Sequence, residues 1–482
     1  MTKFVVDNGP HIKSKYNTSK MMNHLIIALL PIIIFSCYKN GFYPYFKGYG
    51  TLFDAFKPIL LIIVGIITSL GSEILFACFF LNKKNELKAY LKYSYAIFPG
   101  LFLALIIPVH TPFSILIIGT IFATIIGKML FGGFGNNIFN PALVGYLFIM
   151  GTYQTAITKA GGYLSKMEID TLGSATPLTN LGGLNYLDTY HNIVGPYGNL
   201  KDFLLGFIPG SLGETSALLC LLGLLYLIIT KVINWRIPVI YLATVFMITG
   251  AIGYYHQLGL WYPLFHILSG GLMFGAIFMA TDPVTSPTTP YGQVIYALLL
   301  GLLTVAFRFL TNYPEGVATA ILTMNMLVFI IDRIGAKVRF NLRWLLILNL
   351  ILFMLITSTT GYIAFNIKKV DDKDLSFQIL NIKRQDQQTI YQVTHKAFHG
   401  IIKADITINH VDNKITDIII IEQKEDVWSQ IENADYLKKI IHNQADLGKL
   451  DTIAGATYTT NYLKQMAIKV MDDYHKRKEE YK

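Results

Sequence analysis

The sequence predicts a polytopic α-helical membrane protein with about eleven transmembrane helices, several of them broken, an N-terminus on the cytoplasmic side and a small α+β extracytoplasmic domain at the C-terminal end. Three observations predict it. Of 482 residues, 53% are hydrophobic and only 15% charged, with a mean hydropathy of +0.46; a soluble core cannot hide so much apolar surface. Apolar runs such as Pro58–Phe80, Val239–Tyr254 and Trp344–Phe365 recur, and several approach the roughly 20 residues a helix needs to cross a bilayer. The composition then turns polar at Lys368-Lys369-Val370-Asp371-Asp372-Lys373-Asp374, which marks a linker and a domain boundary.

In chain order the predicted spans lie near 22–38, 57–81, 94–109, 112–131, 140–154, 202–231, 236–254, 259–280, 291–311, 315–332 and 344–366. Under this count Lys83, Lys84, Lys88 and Lys92, the pair Lys231 and Arg236, and the run Arg333, Lys337, Arg339 and Arg343 all fall on one side. The positive-inside rule makes that side cytoplasmic. The N-terminal lysines share it, while the loop from about 155 to 201 and everything after 367 fall outside. No short apolar region with a small-residue cleavage site follows the polar N-terminus, so no cleaved signal peptide is expected. The net charge of +10 reads as topology, and nucleic acid is not an expected partner. Cys37, Cys78 and Cys220 stand apart in apolar stretches, without the spacing of an iron–sulfur or zinc site.

Two stretches interrupt the helical pattern: Gly132-Gly133-Phe134-Gly135-Asn136-Asn137-Ile138-Phe139-Asn140-Pro141-Ala142 and Ala280-Thr281-Asp282-Pro283-Val284-Thr285-Ser286-Pro287. A third runs from Gly206 to Ser216. Backbone freed from helix inside hydrocarbon must be satisfied by protein or cavity water, so such breaks line sites in the bundle interior. Their presence in each half suggests a duplicated architecture around a central pathway; plain turns at the membrane surface are the alternative. Glu73, Glu214, Asp282, Arg308 and Asp332 are costly in lipid and are expected to face the interior, a cavity or a wet end. Glu214 and Asp282, beside breaks, are the candidates for a pocket in the interior; the alternative is a paired residue closing a helix end. His24 and His266 are expected to pack or hydrogen-bond.

In the tail, 400–409 and 414–422 read as strands joined at Asp412-Asn413, and 459–477 as a helix with an apolar stripe. Asp451-Thr452-Ile453-Ala454-Gly455-Ala456-Thr457 leads into that helix, where backbone amides can receive a phosphate. A related stretch, Asp170-Thr171-Leu172-Gly173-Ser174-Ala175-Thr176, lies in the outside loop. Each has Asp followed six positions later by Thr, with Ala before it, and small neighbours that let a phosphate approach the backbone. Taken alone, either stretch also suits an Asx-type turn before a helix.

Both stretches resemble the flavinylation signal Asp-x-x-(Ser/Thr)-Gly-Ala-Thr, whose last threonine receives FMN through a phosphoester in the RnfD/NqrB and RnfG/NqrC families. Residues 1–340 resemble RnfD through Gly9-Pro10-His11, Met22 to Pro31, Gly133 to Gly145, Gly210 to Leu218, Phe278 to Pro287, Pro314-Glu315-Gly316, Asn325 and Asp332-Arg333. Residues 341–368 are read as a final span and linker, and 369–482 resemble a shortened RnfG-type FMN-binding domain. The resemblance implies covalent FMN on Thr176 and Thr457, with Asp170, Ala175, Asp451, Gly455 and Ala456 as supporting motif. Gly173-Ser174 and Ala454 depart from the signal. It further implies a subunit of an ion-translocating ferredoxin:NAD oxidoreductase in the cell membrane, with the other members of the complex, a flavin transferase and membrane lipid as partners. The resemblance also implies non-covalent riboflavin as a further cofactor, and Glu214 and Asp282 are then the candidates for an ion or flavin pocket. No strand-linked GxGxxG suggests that NAD binds this chain. A solute channel or transporter with an accessory domain, and extracytoplasmic electron transfer without pumping, are the rival readings.

Overall fold

A computed structural model of the chain describes residues 17–162, 177–178, 187, 190–311, 316–338, 342–367, 377–384, 387–396, 401–423, 428–444 and 457–480. The membrane part begins with α1 (Thr18–Cys37), extended by a π-helical turn (Tyr38–Phe42) to Phe46, and α2 (Leu52–Phe79). There follow α3 (Leu87–Ser94), α4 (Ile97–Ile106), α5 (Phe113–Ile125), α6 (Pro141–Lys159), α7 (Leu200–Leu205) and α8 (Ala217–Ile229). The second half holds α9 (Arg236–Tyr255), α10 (Trp261–Leu268), α11 (Leu272–Phe274) running into a second π-helical turn (Gly275–Met279), α12 (Pro290–Leu310), α13 (Val317–Val338) and α14 (Leu342–Asn366).

Each of the eleven predicted spans carries helix. Among the described residues, seven helices are long and apolar enough to cross a membrane, and two bent pairs add two more: α3 with α4, bent by 48°, and α10 with α11 and its π turn, bent by 67°. The other two differ from uniform spans. The stretch predicted at 202–231 is interrupted, because the chain leaves α7 at Gly206 in the left-handed region (φ +101°). That leaves α8 with 13 residues, about 20 Å of helix against roughly 30 Å of hydrocarbon. The 19 residues of α6 end in a polar stretch with Gln154, Thr155, Thr158 and Lys159.

Local chemistry starts these helices where they start. Asn17 caps α1 by accepting from the Lys20 amide (2.9 Å), and Thr51 and Asp54 form a reciprocal capping box on α2. Asn140-Pro141 opens α6 and Thr289-Pro290 opens α12, each pairing a capping side chain with a proline whose missing N–H costs nothing there. Small residues bring the helices close. A Cβ on Gly65 would lie 2.6 Å from the Gly100 carbonyl oxygen, and one on Gly100 would strike the Gly65 carbonyl, so α2 and α4 cross with backbones in contact. The apolar core runs through Leu103, Leu116, Ile149, Tyr241, Ile277, Tyr296 and Leu300.

The tail folds as a four-stranded antiparallel meander, β1 (Gln378–Arg384), β2 (Gln388–Lys396), β3 (Ile401–Asn409) and β4 (Lys414–Glu422), with α15 (Trp428–Asn433), α16 (Tyr436–His442) and α17 (Thr457–Glu480). On β3, Ile402, Ala404, Ile406 and Ile408 are buried in strict alternation. They pack with Tyr391 and Val393 of β2, Ile440 of α16, and Leu463, Met466, Ala467 and Val470 of α17. Burial and the neighbouring Asp473 carboxylate push the Tyr391 phenol up to about 12. The predicted strands match β3 and β4, and the predicted helix lies within α17; β1, β2, α15 and α16 are additional.

Candidate functional site

Two of the breaks foreseen in the sequence converge in space. Asn140 ends the first: its Oδ1 accepts from the Ala142 amide (3.1 Å), and its Nδ2 faces Met279 Sδ (3.6 Å) at the entry to the second. Asn325 on α13 locks the junction. With its amide oriented to satisfy its neighbours, it accepts from the Asn140 amide (3.1 Å) and donates to the Thr285 carbonyl (3.2 Å) and the Ile321 carbonyl (3.0 Å). One buried side chain thus satisfies backbone groups from both breaks, as hydrocarbon surroundings require.

Cavities lie on either side of this junction. The first is lined by the rings of Tyr95, Phe98, Phe102, Phe134 and Phe278, by Asn137 and Asn140, and by Lys128 and Asp282. The second is lined by Ile106, Leu143, Tyr146, Glu214, Gly271, Phe274, Met279, Val317 and Ile321. Three elements contribute to both: Phe102 and Ile106 of α4, Ala142 and Leu143 of α6, and Phe278 and Met279 of the π turn. The cavities therefore adjoin, with α4, α6 and the π turn contributing to the walls of both. The structure places Asp282 on one cavity and Glu214 on the other.

The first cavity has a buried lysine in its wall, and a second buried lysine is bonded to the loop that carries Glu214. Lys128 Nζ meets Glu73 Oε2 at 2.6 Å with both side chains at most 2% exposed, and donates to the Ser94 carbonyl (2.6 Å); Tyr90 donates to the other Glu73 oxygen (3.2 Å). Lys39 is fully buried and donates to the Ile208 carbonyl, in the loop that carries Glu214. Asp282 accepts from the Thr285 hydroxyl (3.0 Å). Asp332 is spent on structure, accepting from the Thr288 and Thr289 amides (both 2.9 Å at the nearer oxygen) and from both hydroxyls, so it holds down the start of α12. Arg308 donates to the His266 carbonyl (2.6 Å). His24 bonds the Tyr226 hydroxyl (2.7 Å), and His266 packs among Tyr262, Phe265 and Phe309.

Thr176, Asp170 and Ala175 lie outside the described residues, as do Asp451, Gly455 and Ala456 and the side chain of Thr457. Two residues beyond Thr176, Leu178 is buried with Ile193, Tyr197, Phe203, Ile208 and Phe265. The backbone of Thr457 begins α17, and Thr459 and Thr460 in its first turn are buried. Tyr462, one turn further, lies against His395 of β2 with ring centroids 5.1 Å apart. Lys39 and Lys128 escaped the sequence reading; the signal available was a basic residue at the end of an apolar run with an acid, Glu73 or Glu214, in another.

The fold and its paired cavities define a polytopic membrane protein with broken helices, joined to a small α+β domain. The chain belongs to the NQR2, RnfD, RnfE family, whose family model matches residues 5–341, and its tail is an FMN-binding domain by the match over residues 398–472. It is similar to the D subunit of the proton-translocating ferredoxin:NAD(+) oxidoreductase complex of Clostridium ljungdahlii, 36% identical over 344 residues that cover 70% of this chain and 97% of that protein. Similarity extends to the D subunit of the Na(+)-translocating ferredoxin:NAD(+) oxidoreductase complex of Acetobacterium woodii, 34% identical over 68% of this chain and 92% of the relative. The D subunit of the ion-translocating oxidoreductase complex of Aliivibrio salmonicida is 33% identical over 68% of this chain and 96% of its own length.

Proposed function

We propose that the chain is the flavin-carrying membrane subunit of an ion-translocating electron-transport complex of the Rnf type, a ferredoxin:NAD oxidoreductase, acting with the other subunits of that complex. One observation carries the reading: a membrane domain whose relatives bear that name continues, through the single span α14, into an FMN-binding domain. FMN, when bound, supplies transfer of one or two electrons. The chain's own part is to hold it at fixed places in and beside the membrane.

The attachment points are Thr457 and Thr176, each through a phosphoester to the threonine oxygen. Thr457 suits a phosphate because it opens a 24-residue helix, where free backbone amides and the helix dipole favour negative charge. Asp451, Gly455 and Ala456, and likewise Asp170 and Ala175, supply the pattern that a flavin transferase reads. Glu214 and Asp282, one per cavity, are the acids assigned to the coupling ion, Na⁺ or H⁺. The first cavity, with its aromatic rings and two asparagine amides, is the place assigned to a non-covalent riboflavin. The protein spans the cell membrane, and the distribution of lysine and arginine among the loops supports an extracytoplasmic position for the FMN-binding domain.

The test is in-gel flavin fluorescence and peptide mass spectrometry on protein made with its transferase, comparing wild type with Thr176→Ala, Thr457→Ala and the double variant. Each single variant is expected to lose one FMN and the double variant both. Absence of flavin from both threonines, while the transferase modifies a control protein, would remove the basis of this reading and favour a solute transporter.

A further inference from the structure

The end of α2 and the helix that follows it form a basic, aromatic platform outside both cavities. α2 runs out through Phe79, Phe80 and Leu81, all exposed. Asn82 turns the chain in the left-handed region (φ +53°), and the Lys83 amide donates back to the Ala77 carbonyl (3.1 Å), which keeps the next residues at the helix end. These carry Lys83, Lys84, Lys88 and Lys92 against one acid, Glu86. All four lysines are exposed, and among the described residues none of them forms an ion pair. Three of the ammonium groups lie over aromatic rings instead: Lys83 over Tyr90 (4.9 Å to the ring centre), Lys84 over Phe79 (5.8 Å) and Lys92 over Tyr93 (5.6 Å). A ring face steadies a cation without neutralising it, so these charges stay available to an anion.

α3 is bent by 48° from α4 and so departs from the line of the span. Its Leu87, Tyr90, Leu91 and Ser94 are partly or fully buried, while Lys88, Ala89, Lys92 and Tyr93 are exposed, the two-faced pattern of a helix lying along a bilayer surface. Two bonds pin it. Tyr90 donates to Glu73 (3.2 Å), and the Ser94 carbonyl accepts from Lys128 (2.6 Å). The buried Lys128–Glu73 pair therefore anchors the last turn of α3, and Lys88 and Lys92, one turn apart on its outer face, are presented from a fixed support.

We propose that this platform binds the headgroup of an anionic phospholipid, with Lys84, Lys88 and Lys92 on the phosphate and the acyl chains alongside Phe79 and Phe80. Charge complementarity selects an anion, and each lysine within reach of anionic headgroups contributes about fivefold in affinity. The apolar neighbours select lipid over an acidic protein: Phe79, Phe80 and Leu81 close a membrane span, at the depth where aromatic side chains meet headgroups. The proposal needs only that the chain spans a membrane, and stands apart from the flavin and ion assignments.

The experiment places the full chain in nanodiscs of phosphatidylcholine with a minority of phosphatidylglycerol, and native mass spectrometry reads which lipid stays on the released protein. Wild type is expected to retain phosphatidylglycerol in preference to phosphatidylcholine. Lys88→Gln combined with Lys92→Gln should weaken that preference about tenfold, and Lys88→Arg with Lys92→Arg should keep it. Arg333→Gln combined with Lys337→Gln removes the same charge from another exposed basic stretch and should leave the preference intact. A second readout is the unfolding midpoint, which phosphatidylglycerol is expected to raise in wild type and not in the Lys88, Lys92 glutamine variant. The proposal is overturned if wild type shows no preference, if the two glutamine pairs lose it equally, which would mean diffuse attraction, or if the folded Lys88, Lys92 variant keeps it. Retention of phosphatidylglycerol by that variant together with loss of an acidic subunit from the assembled complex would make the surface a protein dock instead.

Discussion

Lys128 and Glu73 pose the sharpest energetic question in the membrane domain, since both ends of their contact are buried. Such a pair adds little net stability over an apolar substitute, but removal of one partner strands the other charge and costs about 3–5 kcal/mol. Lys128→Met is accordingly expected to lower the thermal unfolding midpoint in detergent, and addition of Glu73→Gln to restore much of it. A double variant as unstable as the sum of the two singles would mean that the pair is not coupled. This also shows where sequence reading stops at the scale of a residue. Glu73, Glu214, Asp282, Arg308 and Asp332 are legible because acids and arginines in apolar runs are conspicuous. Lys39 and Lys128 stand at the ends of such runs, where lysines ordinarily reach water, and only the packed structure shows both ammonium groups enclosed. Asp332 illustrates the converse: a conspicuous acid whose oxygens are consumed by the cap of α12.

At the scale of elements, hydropathy located the helices because the bilayer demands apolar length, and Gly, Pro and Asn located the breaks because freed backbone needs turn chemistry. The two π turns left no such mark in the sequence. The strands β1 and β2 were hidden for another reason: Gln378, Asn381, Lys383 and Arg384, and Gln388, Gln392 and His395, dilute the alternation that reveals β3. The α2–α4 crossing yields a prediction at this scale. Gly100→Ala places a methyl against the Gly65 backbone and is expected to cost about 1–3 kcal/mol, seen as a reduced monodisperse peak in fluorescence size-exclusion chromatography after heating. Gly71→Ala, with nothing within 4 Å of its added Cβ, should leave that peak unchanged, and equal behaviour of the two would show that the helices can separate freely.

For the whole molecule, the sequence disclosed a membrane body and a polar tail but not which breaks meet, because the Asn140, Asn325 and Thr285 junction joins positions far apart in the chain. Charge distribution gives the orientation a direct test. Protease added to sealed right-side-out vesicles is expected to remove the FMN-binding domain and leave residues up to about 367 protected, whereas an uncleaved tail released only by inside-out vesicles would invert the topology. α14, the link between the parts, is only 11% buried across its most apolar window, against 33–61% for the other long spans. It leans lightly on the bundle and works as a leash. Ten peptide steps separate Ile367 from Phe377, so the tail begins within about 35 Å of the leash's end. Confinement of that kind corresponds to a local concentration in the millimolar range. An encounter that would be second order between separate proteins becomes a first-order search, independent of how much protein the cell makes.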